Sequence, residues 1–397
     1  MANEYAQDTA VIKASLGIDK ETGALNTPIH LSSTFHQHDF DNYHAYDYAR
    51  SGNPTREKVE QAIAELEGGT NGFAFASGMA AVSAALFTLS KGDHFIIAKD
   101  VYGGTFRFVE QVLPRFGITH TFVDTTNIDE VAKAFQANTK LVYLETPSNP
   151  LLHVTDIRTV AKLAKANGCY TFVDNTFLTP LIQKPLELGA DLVIHSATKF
   201  LGGHSDILAG LIVTNNPNLA EAVYFLQNST GGVLGVQDSW LLLRGLKTLS
   251  VRMKAGTETA EKIALFLNAE PDVVAVHYPG LPSHAGYDIQ VEQATSGGAV
   301  LSFDLGSEEA VRELVTHLEL PVFSVSLGAV ESILSYPAKM SHAAVPEEER
   351  LAQGITPGLL RFSAGLEDAD DLIADLKQAL SSLRREVLRN EFKKRFK

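Results

Sequence analysis

The stretch HSATKFLGGHSD (residues 195–206) follows the apolar run Leu192–Ile194 and places Lys199 between a pair of hydroxyl residues and two glycines. A short apolar run of this kind is typical of a strand buried on both faces of a sheet. A lysine that follows such a strand is a solvated surface charge, a ligand for phosphate or a covalent catalyst. The groups that lie beside it in the fold decide among these roles.

Short apolar strands separated by helical stretches recur through the middle of the chain. The predicted strands cover residues 73–75, 94–98, 119–124, 141–145, 170–174, 191–195 and 208–214. This alternation predicts an α/β fold with a mainly parallel sheet and helices on both faces. In such sheets ligands bind at the carboxyl ends of the strands. We therefore expect the functional residues at that edge.

The two ends of the chain have different patterns. The first part has clustered aromatic and polar residues with little helical or strand period, and we interpret it as an arm. The last part is predicted to form a smaller α+β domain with a helix over 236–270, strands near 298–305 and 359–365, and a closing charged helix. The predicted division is an arm at residues 1–60, a large domain at 61–235 and a small domain at 236–397.

The composition excludes several classes of protein. With 397 residues, of which 45% are hydrophobic and 20% charged, the chain is long enough for a large core. The sequence shows neither a signal-peptide pattern nor a run of about 20 apolar residues, and its single cysteine, Cys169, fits a reducing compartment. A net charge of −14 opposes binding to nucleic acid or anionic lipid. We expect a cytoplasmic protein that acts on small molecules and has no metal site.

Two polar turns follow predicted strands on the large sheet. At Ser77 and Gly78 the chain turns into an alanine-rich helix, whose free N–H groups would favour an anion such as phosphate. The strand at 170–174 ends in Asp174. Each feature alone has a simpler explanation, because Ser77 could only cap its helix and Asp174 could only cap a turn.

The strand that precedes Lys199 adds the hydroxyl groups of Ser196 and Thr198. Together the turns would bring a phosphate cradle, a carboxylate and an amine to one edge of the sheet. Pyridoxal phosphate requires this set, since its phosphate is bound, a carboxylate keeps its ring nitrogen protonated and a lysine forms a Schiff base with it. The sequence therefore predicts pyridoxal 5'-phosphate as the cofactor, with Lys199 as the Schiff-base lysine that later moves protons.

A series of motifs extends this prediction over the chain from about residue 8 to the C-terminal helix. They are YDYARSGNPTR (46–56), ASGMAA (76–81), VYGGTFR (101–107), ETPSNP (145–150), FVDNTF (172–177), IHSATKFLGGHSD (194–206), SWLLLRGLKTL (239–249), SLGAVESI (326–333) and RFSAGLED (361–368). A chain with these motifs resembles the pyridoxal-phosphate enzymes of cysteine and methionine metabolism, which include cystathionine lyases and cystathionine γ-synthase. The resemblance implies the fold type I, aspartate aminotransferase-like architecture. It also implies a homotetramer, a dimer of dimers, whose active sites are shared between chains.

The resemblance implies a role for each matching residue at the cofactor. Tyr48 and Arg50 match residues that reach the phosphate of the neighbouring chain, where a guanidinium fork and a phenol donate in fixed geometry. Lys199 and Tyr102 match the catalytic residues, and the Tyr102 ring would stack over the cofactor. The other matching cofactor contacts are Gly78, Met79, Asn149, Asp174, Thr176, Ser196 and Thr198.

The resemblance also implies how an amino-acid substrate binds. Arg361 matches the arginine that binds the α-carboxylate, and Asn149 and Ser332 match further substrate contacts. Asp47 and Glu331 match acidic positions that would hold a distal ammonium group, although a solvated Asp47 and a salt-bridged Glu331 would explain both acids structurally. Gly104 stands where methionine γ-lyases carry a cysteine, so the chain departs from that group.

From these features we predict a carbon–sulfur lyase that cleaves L-cystathionine by γ-elimination, β-elimination or both. The alternative is cystathionine γ-synthase, which joins an acylated homoserine to cysteine with the same residues. A binding protein without catalytic activity is a third interpretation. The joint presence of Lys199, Asp174, Tyr102 and Arg361 disfavours it, because a binding protein needs neither the amine nor the electron sink.

Overall fold

The computed structural model describes residues 5–343 and 345–395, with side chains described up to residue 382. Residues 1–4 of the predicted arm, together with residues 344, 396 and 397 of the predicted small domain, lie outside the described residues. No helix in the described part of the chain is long and apolar enough to cross a membrane.

The large sheet has seven strands. They are β1 (Asn71–Phe75), β2 (His94–Ala98), β3 (Thr119–Val123), β4 (Thr139–Glu145), β5 (Tyr170–Asp174), β6 (Leu192–Ser196) and β7 (Gly210–Thr214). Their order is β1-β7-β6-β5-β4-β2-β3, and only β7 runs antiparallel to its neighbours. The prediction of a mainly parallel sheet is confirmed.

Helices cover both faces of this sheet. The helices that lie between the sheet strands or lead into them are α2 (Pro54–Glu67), α3 (Gly78–Leu86), α4 (Gly103–Gln111), α5 (Ile128–Ala134), α6 (Ile157–Ala166) and α7 (Thr179–Ile182), and α8 (Pro217–Thr230) follows β7. Successive strand residues point to opposite faces. On β4, Tyr143 packs in the cluster with α3 and α8, whereas Val142 and Leu144 pack against α6. Both faces of the sheet are therefore buried.

A second sheet of five strands follows in the chain. Its strands are β8 (Ala275–His277), β9 (Val300–Asp304), β10 (Val322–Phe323), β11 (Ile333–Ser335) and β12 (Leu359–Ser363), in the order β10-β11-β12-β9-β8. The remaining helices are α9 (Val236–Leu246), α10 (Leu249–Ala269), α11 (Tyr287–Gln293), α12 (Glu308–His317), α13 (Glu347–Gln353) and α14 (Ala369–Arg395). The core of this part joins α10, α12 and α14 to the sheet.

The predicted single helix over 236–270 is wrong, because the structure has two helices there, α9 and α10. The break follows from a buried arginine. The guanidinium of Arg252 donates to the carbonyl of Gly245 at 2.8 Å and to that of Phe200 at 2.6 Å. The Gly245 carbonyl, at the end of α9, therefore bonds to a side chain. In a continuous helix it would have accepted a backbone N–H group instead.

The sequence pattern of the predicted arm, residues 1–60, also did not predict the helix α1 (Gln7–Ser15). Its buried positions are only Ala10, Val11 and Ser15, so its apolar period is too short to detect. Asn53 caps α2, since its side chain accepts the N–H groups of Thr55 and Arg56 at 2.9 and 3.4 Å. The division of the chain at residues 60 and 235 stays a prediction.

Candidate active site

A cavity of about 560 Å³ lies at the carboxyl ends of β4, β5 and β6, between the large sheet and the second sheet. Its position agrees with the edge predicted for the functional residues. The predicted site residues that line it are Gly78, Met79, Tyr102, Asn149, Asp174, Thr176, Ser196, Thr198, Lys199 and Arg361. The structure therefore brings together residues that are up to 283 positions apart in sequence, from Gly78 to Arg361.

Lys199 lies in the turn after β6, and its side chain is largely buried. Its Nζ donates a hydrogen bond to Ser326 Oγ at 2.6 Å. Burial, with a smaller contribution from the nearby Arg361 guanidinium, lowers the pKa of the Lys199 amine to about 8. A substantial fraction of this amine is neutral near pH 8, which suits a nucleophile and a base.

Asp174 is the last residue of β5, and its carboxylate accepts hydrogen bonds from the next turn. The N–H and the hydroxyl of Thr176 donate to Asp174 Oδ1 at 3.0 and 2.5 Å. Burial raises the pKa of Asp174 against the opposing effect of these bonds. Among the described side chains, no cation forms an ion pair with this carboxylate. A protonated ring nitrogen would supply the missing positive charge.

The beginning of α3 forms the side of the cavity suited to an anion. Ser77 caps the helix by accepting the N–H of Ala80 at 3.1 Å, and the first N–H groups of any helix lack intrahelical partners. A Cβ atom on Gly78 would lie 2.8 Å from Ser196 Oγ, so only glycine permits this close approach. The hydroxyls of Ser196 and Thr198 line the same region. These groups fit a phosphate.

Arg361 lies on β12 with its side chain buried against the cavity. Its guanidinium donates to Asn149 Oδ1 at 2.9 Å and to Ser335 Oγ at 3.0 Å, and it also bonds to the carbonyl of Ser326. Its Nε is buried without a hydrogen-bond partner. Burial lowers the pKa of Arg361 to about 10, so it remains positively charged at neutral pH. A buried cation with a free donor fits the carboxylate of a substrate.

Tyr102 immediately precedes α4, and its ring lines the cavity with 42% of its surface exposed. Its backbone N–H donates to Glu145 Oε2 at 2.9 Å. A Cβ atom on Gly104 would lie 2.4 Å from Cε1 of the Tyr102 ring. The absence of a side chain at Gly104 therefore leaves room for this ring.

Three predicted residues from the arm lie away from this cavity. Tyr48 and Arg50 line a separate cleft of about 450 Å³. The guanidinium carbon of Arg50 lies 5.0 Å from the centre of the Tyr48 ring, and its Nε donates to Asn228 Oδ1 at 3.2 Å. Asp47 is exposed, and its carboxylate accepts the N–H of Tyr48 at 2.6 Å. Within one chain these residues do not reach the Lys199 site.

Two predicted substrate residues also lie outside the lining of the cavity. The Glu331 carboxylate accepts a hydrogen bond from the Ser205 hydroxyl. Ser332 is buried, and its N–H and hydroxyl both donate to the Glu367 carboxylate at 2.7 Å. The structure thus places Glu331 and Ser332 apart from the residues that line the cavity around Arg361.

Sequence reasoning missed Glu145, Ser326 and Ser335 as members of the site. All three line the cavity. Ser326 belongs to the motif at 326–333, but its contact with Lys199 joins residues that are 127 positions apart. A motif indicates that a loop is functional, but it does not show which side chain of that loop meets the lysine.

The amine, the buried carboxylate and the anion-binding turn match the three attachment points of pyridoxal phosphate, and they lie on a fold type I architecture. Residues 8–381 match the sequence profile of the Cys/Met metabolism PLP-dependent enzymes. The chain belongs to this family, and the resemblance predicted from its motifs is confirmed.

Individual relatives are similar to this chain over most of its length. It is 57% identical over 381 residues to cystathionine beta-lyase MetC of Bacillus subtilis, covering 96% of this chain and 98% of that protein. It is 50% identical over 375 residues to cystathionine gamma-lyase of Bacillus subtilis, covering 94% of this chain and 99% of the relative. The crystal structure of cystathionine gamma-lyase from Lactobacillus plantarum complexed with L-serine is 46% identical, with a TM-score of 0.93 and coverage of 96% of this chain and 100% of the other.

Proposed function

We propose that the protein is a pyridoxal-phosphate-dependent lyase that cleaves L-cystathionine, chiefly by β-elimination. The observation that carries this proposal is the 57% identity to the Bacillus subtilis β-lyase over nearly the full length of both chains. γ-Elimination is the second candidate reaction, and the 50% identity to a γ-lyase favours it. A cystathionine γ-synthase has the same fold at 42% identity, and γ-synthase activity is the alternative function.

Each residue of the cavity has a separate role in the proposed reaction. Arg361 binds the α-carboxylate, which fixes the substrate Cα near the Lys199 amine. Bound pyridoxal phosphate supplies the electron sink for the charge that forms at Cα, and Asp174 stabilises its protonated ring nitrogen. Lys199 takes the Cα proton, because its lowered pKa leaves a useful fraction of the amine neutral. Tyr102, whose ring lines the same cavity, is the second proposed catalytic residue.

The proposed overall reaction is balanced by one water molecule. L-Cystathionine and water give homocysteine, pyruvate and ammonia. The bond between Cβ and sulfur breaks, and the sulfur leaves with the bonding electron pair and acquires a proton to become the thiol of homocysteine. In γ-elimination a Cβ proton is removed as well, and the products are cysteine, 2-oxobutyrate and ammonia.

The arm supports a proposal that active sites are shared between chains of a homotetramer. Several apolar side chains of the arm are exposed, with Leu25 at 67%, Leu31 at 81%, Phe40 at 93% and Tyr43 at 65%. Exposed apolar surface of this kind marks an interaction site. We propose that a neighbouring chain covers it and that Tyr48 and Arg50 then reach the phosphate in that chain's cavity. A cytoplasmic location, supported by a composition with one cysteine, belongs to the same proposal.

The distal ammonium of cystathionine needs a negative partner, for which Asp47 of the neighbouring chain and Glu331 are proposed. Losing a charge-assisted hydrogen bond costs about one to two decades in kcat/KM. Asp47→Asn and Glu331→Gln should therefore each raise KM for cystathionine more than for a substrate with no distal charge. If a variant raises both KM values equally, the replaced residue does not hold the distal ammonium. The bond between Glu331 and Ser205 makes Glu331 the weaker of the two candidates.

Product analysis of the purified holoenzyme tests the proposed function. With L-cystathionine alone we expect a 2-oxo acid, ammonia and a thiol in equal amounts. With an acylated homoserine and cysteine we expect no accumulation of cystathionine. Accumulation of cystathionine in the second reaction, without a 2-oxo acid in the first, would establish a γ-synthase instead.

A further inference from the structure

Glu145 is a buried acid at the edge of the cavity for which the proposed reaction has no use. It is the last residue of β4, has 7% of its surface exposed and lines the cavity. Its Oε2 accepts the backbone N–H of Tyr102 at 2.9 Å. Within residues 5–343 and 345–382, no cationic side chain forms an ion pair with it. A buried acid without such a partner needs a reason to be there.

Burial and the neighbouring acids favour the neutral form of Glu145, against the backbone hydrogen bonds that it accepts from Tyr102 and Asn149. Asp174 lies opposite it in the register of β4 and β5, Asp100 lies beyond the end of β2, and Tyr143 lies on the same strand. Arg361 on β12 is the nearby cation. Burial, followed by the charge of Asp174, raises the pKa of Glu145 well above its ordinary value. Two adjacent buried acids do not both ionise easily, so the charge of Asp174 favours the neutral form of Glu145.

The turn that carries Tyr102 is tied to the large domain on its N-terminal side, where Asp100 bonds to the Ser148 hydroxyl and the His153 ring and Val101 is buried in the core. Tyr102 stands at the start of α4, where no side chain caps the helix, and 42% of the residue is exposed. Its carbonyl accepts the N–H of Phe106 within the helix at 3.0 Å. The bond to Glu145 joins the Tyr102 N–H itself to the end of β4.

We propose that Glu145 is a positioning residue that acts through Tyr102, by holding the Tyr102 backbone so that the ring stays over the cavity. This inference rests on the proposed function, in which Tyr102 contacts the cofactor. It assigns to a neutral hydrogen-bond acceptor a role that a glutamine can fill and that a residue without an acceptor cannot.

A double-mutant cycle on the holoenzyme tests the inference. Glu145→Leu keeps most of the volume and removes the acceptor, and it is made in wild type and in Tyr102→Ala. We expect kcat/KM for cystathionine to fall about 10- to 100-fold in the wild-type background and less than about three-fold in the Tyr102→Ala background. Glu145→Gln should recover kcat/KM to within about five-fold of wild type and keep its pH profile. Cofactor affinity and urea unfolding are measured for every variant.

The outcomes distinguish the role of Glu145 from that of Tyr102. Equal losses in the two backgrounds, or a glutamine variant as impaired as the leucine variant, would overturn the inference about Glu145. A Tyr102→Ala variant as active as wild type would instead contradict the role of Tyr102 in the proposed function. If Glu145→Leu does not fold, Glu145→Ser replaces it in both backgrounds, because its short side chain also withdraws the acceptor from Tyr102.

Discussion

Ser326 joins the amine of Lys199 to the guanidinium of Arg361. Its hydroxyl accepts the Lys199 Nζ hydrogen bond at 2.6 Å, and its carbonyl accepts a hydrogen bond from Arg361. The backbone of Ser326 has φ of 83°, a left-handed conformation that is uncommon for a residue other than glycine. Residues in such conformations cluster at functional sites, where surrounding contacts hold them in place. Ser326 thus contacts both the proposed base, Lys199, and the proposed carboxylate-binding residue, Arg361.

Replacing Ser326 by alanine separates these two contacts. Ser326→Ala keeps the carbonyl that binds Arg361 but removes the acceptor for Lys199, so we expect kcat to fall about 10-fold while KM changes less than about three-fold. Ser335→Ala is the matched control, because Ser335 Oγ bonds to Arg361 and not to the lysine. The Ser335→Ala substitution should change mainly KM. Steady-state kinetics with cystathionine measure both, and a Ser326→Ala variant that changes only KM would contradict the expectation.

Asp174→Asn tests the carboxylate at the end of β5. The amide keeps the size of the side chain but not its charge, so the variant should bind the cofactor and lose at least about 100-fold in kcat. Thr176→Val is the graded control, since it removes one of the two Thr176 donors to Asp174 and leaves the carboxylate. Near-normal turnover by Asp174→Asn, with cofactor content checked by absorbance, would remove the assigned role.

Mixed oligomers test whether Arg50 serves the neighbouring chain. Lys199→Ala and Arg50→Ala chains should each be inactive or nearly so, because each removes one component from every site. Unfolding and refolding the two together produces hybrid dimers in which one of two sites is intact, so random pairing should restore about a quarter of wild-type activity. No recovery, in a mixture shown by native mass spectrometry to contain hybrids, would contradict shared sites.

His342 makes a distinct contribution to the pH dependence of stability. It is fully buried in the loop beside the cavity, where Arg361, Asp100 and the hydroxyl of Ser341 face it. Burial, reinforced by Arg361, lowers the pKa of His342 from 6.5 to about 4. Between these two values the unfolded chain binds a proton that the folded chain does not. Stability from this group is therefore complete above pH 6.5 and is lost as the pH falls toward 4.

A His342→Gln variant isolates that contribution from the buried acids. Glu145 and Asp174 act in the opposite direction, because their raised pKa values favour the folded state as the pH falls. On lowering the pH from 7 to 5, wild type should lose about 2 kcal/mol more free energy of unfolding than the variant. Urea unfolding at the two pH values measures the difference. Equal losses would show that His342 does not change its protonation on unfolding.

The sequence was informative where a functional residue follows a strand directly. Asp174 and Lys199 were predicted to lie at one edge because parallel strands end together, and the structure agrees. The contact of Ser326 with Lys199 was not predictable, since it depends on how a loop of the second sheet packs on the turn after β6. Gly328 allows that approach, because a Cβ atom there would lie 2.6 Å from the Phe200 nitrogen. The role of Glu145 is not predictable for another reason: the sequence pattern makes it the last residue of a strand, whereas its partner Tyr102 follows a different strand.

The most direct test of the proposed lyase function is the identity of the 2-oxo acid released from L-cystathionine by wild type and by Lys199→Ala. We predict pyruvate as the major product of wild type, with homocysteine as the thiol, 2-oxobutyrate as the minor product, and neither acid from Lys199→Ala. Chromatographic separation of the two acids gives the ratio in one experiment. Release of pyruvate by Lys199→Ala at a rate near that of wild type, or no 2-oxo acid from the cofactor-loaded wild type, would contradict it.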